Sequence, residues 1–246
     1  MLGLMQDWPL LVTKMLDHGA ANHAEREFVT RSLEGPIRRY TLADLRLRAL
    51  QAAKALEKDG IRLGDRVATM AWNTDRHVEA WFGIMGLGAI CHTLNPRLFA
   101  EQLVYIVNHA EDQILFVDTT FVPVLQAVSA RLPTVRKYIV LTDSQHMPDT
   151  TLPNAVAYED WLAGVDADFQ WKTFDENTAA ALCYTSGTTG NPKGVLYSHR
   201  SNVLHGMMVN QPDVLGLSSE DVILPIVPMF HANAWAITYA APAAGT

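Results

Sequence analysis

The sequence predicts an α/β fold built from βαβ units, with mixed, largely parallel sheets and flanking helices. Short apolar runs that suit buried strands alternate along the chain with longer runs of helical spacing. The strand-like runs are apolar at successive positions, as expected for strands that helices cover on both faces. Turn-forming residues separate the two kinds of run. Strands that alternate with helices in this way are usually connected as parallel neighbours by right-handed crossovers.

The first strong helical pattern begins after Thr41, a residue that can cap a helix N-terminus. Its apolar side chains recur at helical spacing, at Leu42, Leu45, Ala49, Ala52 and Leu56. The pattern ends at Asp59 and Gly60, and glycine commonly follows the last helical turn. We therefore expect one long helix that packs by one face.

The following segments alternate strand and helix. Strands are predicted at residues 66–72, 89–94, 113–117 and 138–141. Helices are predicted after the turn at 73–75 (apolar side Val78, Trp81, Phe82, Met85), after Asn95-Pro96 (Phe99, Leu103, Ile106, Val107, Ala110), and over about residues 121–132. Ligands of such folds bind outside the carboxyl ends of the strands.

The second half of the chain is less regular. Residues 143–178 are rich in turn formers and contain one short helical piece, Y-E-D-W-L, so a subdomain boundary is predicted there. A buried strand follows at residues 179–184. Residues 222–246 carry no formal charge, but prolines and polar side chains interrupt them. We interpret this stretch as a buried strand followed by a buried helix rather than as a membrane span.

Composition and charge exclude several classes of function. The 246 residues are 49% hydrophobic and 18% charged, which suits a folded chain with a sizeable core. A formal net charge of −7 argues against broad attraction to nucleic acid or anionic lipid. Cys91 and Cys183 lie in apolar runs without metal-ligand spacing, and the N-terminus lacks a secretion signal. We expect a reduced, cytoplasmic protein without a transmembrane segment, leaving peripheral membrane contact open.

The segment T-S-G-T-T-G-N-P-K-G, residues 185–194, directly follows the strand predicted at 179–184. One interpretation is a hairpin turn, because Ser, Thr, Gly, Asn and Pro are ordinary turn formers. The other is a phosphate-binding loop, in which glycines let backbone N–H groups converge on an anion, and hydroxyls and Lys193 add donors and charge. The Walker spacing fails, because Pro192 precedes Lys193 and Gly194 follows it. The density of these groups at a strand end favours phosphate binding.

The segment Y-T-S-G-T-T-G-N-P-K-G-V resembles the phosphate-binding signature of adenylate-forming enzymes. That family includes acyl-CoA synthetases, aryl-CoA ligases, luciferases and peptide-synthetase adenylation domains. The likeness extends along nearly all of the chain, through R-R-Y-T-L-A-D-L, G-D-R-V-A-T-M-A-W-N, G-A-I-C-H-T-L-N-P-R-L and P-M-F-H-A-N-A-W. Together the segments look most like the N-terminal portion of the large domain of a medium- or long-chain fatty acyl-CoA synthetase.

The resemblance implies a reaction in two steps. Family members join a carboxylate to AMP, release pyrophosphate, and then transfer the acyl group to the thiol of coenzyme A. The residues implied to surround the ATP phosphates are Thr185, Ser186, Gly187, Thr188, Thr189, Gly190 and Lys193. Thr185 would also hold Mg²⁺ through its hydroxyl, and Lys193 would be catalytic.

The resemblance also assigns P-M-F-H-A-N-A-W to the acyl-adenylate pocket. His231 would contact the substrate carboxylate region, as a second catalytic residue, and Asn233 and Trp235 would line the same pocket. Without the resemblance, a lone His or Trp in this segment is read as a packing residue. If a helix begins at His231, Trp235 shares its face and would form a wall or gate of a fatty-acyl channel. Amino-acid adenylating members usually carry Phe-Asp where this chain carries Phe230 and His231, so an amino-acid substrate is not expected.

Segments that the family places later are not in the chain. They include the parts that contact adenine and ribose, and the small C-terminal domain with its catalytic lysine. We therefore expect residues 1–246 alone to lack complete ligase activity. The alternatives are an aryl-acid CoA ligase, a short nucleotide-binding module, and a dimerisation module that forms a homodimer through the apolar segment around residues 8–16.

Overall fold

Nine strands and eight α-helices are found in the residues that the computed structural model describes, which are residue 1, residues 3–185 and residues 191–246. The strands are β1 (Glu27–Arg31), β2 (Ile37–Thr41), β3 (Arg66–Met70), β4 (Ile90–Thr93), β5 (Ile114–Val117), β6 (Lys137–Val140), β7 (Ala155–Ala157), β8 (Ala179–Thr185) and β9 (Lys193–Ser198). The helices are α1 (Thr13–Asn22), α2 (Leu42–Lys58), α3 (Asp75–Leu87), α4 (Ala100–Ala110), α5 (Val122–Gln126), α6 (Tyr158–Ala163), α7 (His199–Val209) and α8 (Ile237–Ala244).

Seven strands form one sheet in the order β7-β6-β5-β3-β4-β8-β9. Every neighbouring pair is parallel except β8 and β9, which are antiparallel. The strands β1 and β2 form a separate antiparallel hairpin. The predicted mixed, largely parallel sheet with flanking helices is therefore confirmed. All residues of β4 and β5 are buried, which explains their nearly continuous apolar sequence.

The helix α2 begins after Thr41 and ends at Lys58, as predicted. The Thr41 hydroxyl accepts a hydrogen bond from the backbone N–H of Asp44 at 3.1 Å, and the Asp44 carboxylate accepts one from the backbone N–H of Thr41 at 3.0 Å. This capping box satisfies two N–H groups that the helix itself leaves free. Helix α2 packs closely on α3 at Gly83, where an added Cβ would lie 2.7 Å from the Cβ of Ala52. The close approach of the two helices therefore depends on glycine.

Some predicted elements have different bounds or shapes. The helix expected over 121–132 is divided into α5 and two 3₁₀ turns, Thr119–Phe121 and Ser129–Arg131. Its buried side chains are Phe121, Val122, Leu125, Val128 and Leu132. Phe99 is the N-cap of α4 and 80% exposed, so it does not belong to the packed face of that helix. The strands β7 and β9 were not predicted, because one has three residues and the other carries mostly exposed side chains at the sheet edge.

Residues 143–178 contain β7 and the predicted short helix, observed as α6. β7 joins the edge of the sheet beside β6, and β8, which follows this segment, pairs in parallel with β4. The chain on both sides of the segment thus contributes to the same sheet. The subdomain boundary at 143–178 stays a prediction.

The predicted buried strand after residue 222 is wrong, whereas the buried helix after it is confirmed as α8. Residues 222–230 belong to no strand and include a bend and a turn, and Asn73 holds them by donating to the carbonyls of Pro225 and Val227 at 2.9 and 2.8 Å. Prolines here remove donors that a sheet ladder needs. The exposed side chains are Val222 (96%), Leu224 (82%) and Ile226 (85%). Among the described residues, no helix has both the length and the apolar character needed to cross a membrane.

The apolar N-terminal segment lies in the core, contrary to its suggested role as a dimerisation surface. Its buried residues are Leu11, Val12, Met15 and Leu16. They lie at or near α1, which packs against α8 and α2, so the helical pattern of this segment is used inside the chain. Trp8 is 45% exposed, with the Lys14 ammonium 5.5 Å from its ring centroid.

Candidate functional site

The candidate loop connects two antiparallel neighbours at the carboxyl edge of the parallel strands. Thr185 is the last residue of β8 and pairs with Lys193, the first residue of β9. Both residues are exposed. Ser186, Gly187, Thr188, Thr189 and Gly190 lie outside the described residues. A hairpin connection and a phosphate-binding loop are therefore not exclusive, because the hairpin itself lies where α/β folds bind ligands.

The Thr185 hydroxyl is available to a ligand. Within the described part of the chain its one hydrogen bond is a long one, to the backbone carbonyl of Lys193 at 3.4 Å. A contact of that length is weak, so the residues that the structure describes leave the oxygen lone pairs free for a cation or a water molecule. The Lys193 side chain extends from the same strand end as a flexible positive charge.

Tyr184 forms the base of this edge, and sequence reasoning did not single it out. Its hydroxyl lies 2.6 Å from Nδ1 of His109, and its ring centroid lies 5.1 Å from that of His92. Burial raises the pKa of Tyr184 to about 12, so the phenol is neutral at physiological pH. A Cβ at Gly194 would lie 3.2 Å from the Tyr184 ring, which is tight packing, so a small residue there lets the ring lie across β9.

A buried hydrogen-bond chain joins the loop to the segment that carries His231. The Cys183 thiol donates to the Asn233 side-chain oxygen at 3.2 Å, and Thr93 Oγ1 lies 3.3 Å from the same sulfur. These hydrogen bonds therefore connect β4, β8 and the turn that contains Asn233. Cys183 precedes Thr185 by two positions, so both side chains lie on the same face of β8. The strand that ends at Thr185 is thus joined to Asn233, which lies 50 positions after Cys183 in the sequence.

Asn233 has a different contact from the one expected. It is buried, at 4% exposure, and its side-chain oxygen is used by Cys183. Burial raises the pKa of the Cys183 thiol, which keeps it protonated as the donor in this pair. The observed role of Asn233 is to hold its turn against β8, and its place in a substrate pocket stays a prediction.

His231 and Trp235 do not share the face of a right-handed helix. Five consecutive residues from Ala232 to Ala236 have positive φ, between 44° and 62°, so the chain turns in the left-handed sense. For non-glycine residues this conformation costs about 1–2 kcal/mol each. The i, i+4 argument for a common face is therefore wrong at this point. His231 is nevertheless exposed, and Trp235 is 54% exposed, so both side chains remain available to a ligand.

The comparisons with known proteins agree with the motifs of this site. A family model described as AMP-binding enzyme matches residues 16–246. A medium-chain-fatty-acid–CoA ligase of Ectopseudomonas oleovorans is 45% identical over 245 residues, covering 100% of this chain and 45% of the relative. A 3-methylmercaptopropionyl-CoA ligase of Ruegeria lacuscaerulensis is also 45% identical, covering 100% of this chain and 46% of the relative. The chain thus spans about half the length of the curated relatives that it matches.

The fold is also found in solved structures. The inhibitor-bound crystal structure of the N-terminal domain of FACL13 from Mycobacterium tuberculosis superimposes with a TM-score of 0.80 and 25% identity. The similarity covers 96% of this chain and 55% of that one. The sheet and helices described above therefore form a known arrangement.

Proposed function

Because the chain belongs to the AMP-binding enzyme family, we propose that it supplies the phosphate-binding edge and part of the acyl pocket of an ATP-dependent carboxylic acid–CoA ligase. The observation that carries the proposal is the Cys183–Asn233 hydrogen bond. It joins β8, at the position two residues before Thr185, to the turn between His231 and Trp235, which supports one site made from both segments. A carboxylate held near the turn would then face phosphates held at the strand end.

The reaction is proposed for a protein that joins this chain to the rest of the family's domain. The substrate carboxylate attacks the α-phosphorus of ATP, the bond to the pyrophosphate oxygen breaks, and an acyl-adenylate forms. The sulfur of coenzyme A then attacks the acyl carbon and AMP leaves. Both partners of the first step are anions, so the site must offset negative charge as it builds up on the pyrophosphate. Lys193 can follow that charge because its ammonium lies on a flexible stem.

The donors of the described residues fit a Mg²⁺ ion that arrives with ATP. Mg²⁺ prefers oxygen ligands and usually keeps several waters together with substrate phosphate oxygens, so it needs few protein ligands. Thr185 would supply its hydroxyl, which makes one long hydrogen bond within the described part of the chain. When bound, the ion would neutralise phosphate charge. His231 would lie beside the substrate carboxylate, and Trp235 beside the acyl chain.

We propose an aliphatic acid as the substrate. Two relatives at 45% identity are named for a medium-chain fatty acid and for 3-methylmercaptopropionate, and both acids carry an apolar, non-aromatic tail. The exposed Trp235 ring would offer such a tail an apolar wall. Aromatic acids remain the competing class. The assay measures pyrophosphate release by the protein that joins this chain to the rest of the family's domain, with a series of aliphatic acids and with benzoate as substrates. Faster turnover of benzoate than of the aliphatic acids would reject the aliphatic proposal.

The phosphate site is tested by ATP binding to the purified chain in the presence of Mg²⁺. Lys193→Ala should weaken ATP binding by about 10- to 100-fold, because a hydrogen bond to a charged group contributes about 1.5–3 kcal/mol. Lys14→Ala is the matched control, since it removes an equal charge on α1, remote in sequence from the loop. If the two variants bind ATP with equal affinity, Lys193 does not contribute to the phosphate site.

A further inference from the structure

Three potential metal ligands from two distant parts of the chain meet at the end of the β1–β2 hairpin. Glu34 lies in the hairpin turn, and Asp143 and His146 follow β6. One carboxylate oxygen of Glu34, one of Asp143 and a ring nitrogen of His146 all lie within 4.8 Å of one another. We call this group the hairpin cluster.

The Glu34 carboxylate is buried with one oxygen free. Its side chain is 6% exposed. Oε1 accepts hydrogen bonds from Thr142 Oγ1 and from Arg76 Nη1, each at 2.7 Å. Oε2 accepts none from the described residues and is shielded from solvent. A buried acceptor without a partner is costly, so this oxygen indicates a ligand that the protein does not itself provide.

The charges around Glu34 leave the cluster negative. Arg76 pairs with Glu34 at 2.7 Å, and its Nε also lies 2.7 Å from Oε1 of Glu159, which Arg48 pairs with in turn at 3.0 Å. Asp143 adds a second carboxylate, and its partner is His146 Nδ1 at 2.7 Å. The cluster therefore favours a divalent cation.

A local contact explains only part of this geometry. Asp143 and His146 are three residues apart, and Asp143 Oδ1 also accepts from the His146 backbone N–H at 2.9 Å, so their pairing needs no ligand. That contact leaves Oε2 of Glu34 without a partner. A cation bound between the three side chains accounts for both observations.

We propose that the hairpin cluster binds one divalent cation of the zinc type. One imidazole nitrogen and two carboxylate oxygens are ligands that Zn²⁺ accepts, and three protein ligands leave a fourth position for water. Ca²⁺ and Mg²⁺ take oxygen ligands, whereas an imidazole nitrogen suits zinc, so the histidine in this set favours Zn²⁺. Asp143 and His146 are 37% and 49% exposed, so the open position faces solvent. The bound ion ties the hairpin turn to the segment after β6.

The test is Zn²⁺ titration of the purified chain after dialysis against a chelator, followed by calorimetry and by metal analysis. The wild type should bind one Zn²⁺ per chain, and His146→Ala should weaken that binding by more than about tenfold. Asp143→Asn should do the same. His205→Ala is the matched control, because His205 is an exposed histidine on α7, outside the cluster, and it should bind as the wild type does.

Two results would overturn the proposal. One is the absence of Zn²⁺ binding to the folded wild type, and the other is equal binding by His146→Ala and His205→Ala. Tighter binding of Ca²⁺ or Mg²⁺ than of Zn²⁺ would reject the choice of metal. Zn²⁺ should also raise the melting temperature of the wild type and of His205→Ala but not that of His146→Ala. Because both substituted histidines are exposed, neither change should prevent folding.

Discussion

His77 should make the protein less stable in mild acid, because it is buried as a neutral ring. Its Nδ1 lies 2.9 Å from the carbonyl oxygen of Trp72, which can only accept, so Nδ1 carries the proton. Its Nε2 accepts the indole N–H of Trp81 at 3.0 Å and lies 2.9 Å from Thr69 Oγ1. A second proton on Nε2 would oppose the indole donor. Burial lowers the pKa of His77 to about 4.

The size of the effect follows from proton linkage. In the unfolded chain the ordinary pKa of 6.5 applies, so between about pH 6.5 and pH 4 the unfolded state binds more protons than the folded state. The contribution of neutral His77 to the free energy of unfolding is therefore fully present at high pH, and it is lost as the pH falls through this window. From pH 7 to pH 5 the loss is about 2 kcal/mol for this one group.

Urea unfolding at pH 7 and pH 5 measures this loss. His77→Gln removes the titrating group, so the fall in unfolding free energy between the two pH values should be about 2 kcal/mol smaller than in the wild type. His205→Gln, a change at an exposed histidine, is the control. His199 is also buried, and its pKa is lowered to about 4, but it titrates equally in all three proteins.

The reasoning fails if His77→Gln and the wild type lose the same free energy between pH 7 and pH 5. If the variant does not fold, the wild type still decides the question. The ring protons of His77 can be followed by NMR during an acid titration of the folded protein. A midpoint near the ordinary value would show that the buried ring accepts a proton without cost.

Further substitutions test the packing described above. Thr41→Ala removes one side of the capping box and should lower the unfolding free energy by about 1 kcal/mol, whereas an unchanged urea midpoint would mean that the cap is not used. Gly83→Ala would place a Cβ 2.7 Å from that of Ala52, so a cost of about 1–3 kcal/mol should outweigh the gain in helix propensity. A more stable variant would contradict the close approach. Asn73→Ala should release residues 225–229 and speed their proteolysis, and an unchanged cleavage rate would show that its hydrogen bonds do not hold them.

The central strands were predictable because burial on both faces leaves a clear mark in the sequence. Residues 179–184 are apolar at every position but the last, and the observed β8 differs from that range by one residue. The edge strand β9 has mostly exposed side chains, so its sequence carries no such mark. The stretch after residue 222 has strand-like apolar residues but no partner among the described strands. The apolar pattern of a segment indicates burial, but strand pairing also requires a partner strand from another part of the sequence.

The candidate site residues could be named from the sequence, but their arrangement could not. Thr185 and Lys193 were identified from the motif, and they do lie opposite each other at the sheet edge. The link from Cys183 to Asn233 spans 50 positions, and neither residue type signals the other. Resemblance named Asn233 as a pocket residue, whereas the fold shows its side-chain oxygen accepting a buried thiol hydrogen bond. A motif specifies residue types, and only the tertiary structure specifies which partners they take.

The left-handed turn after His231 shows why that link matters for function. Five non-glycine residues with positive φ cost about 5–10 kcal/mol together, which is comparable to the whole stability of a domain. Such a turn persists only when its surroundings over-determine it. Here Asn233 bonds to Cys183, Ala234 and Ala236 are buried, and the exposed side chains that remain include Trp235. The backbone conformation that buries the small residues is therefore the same one that leaves the tryptophan exposed on a turn held against β8.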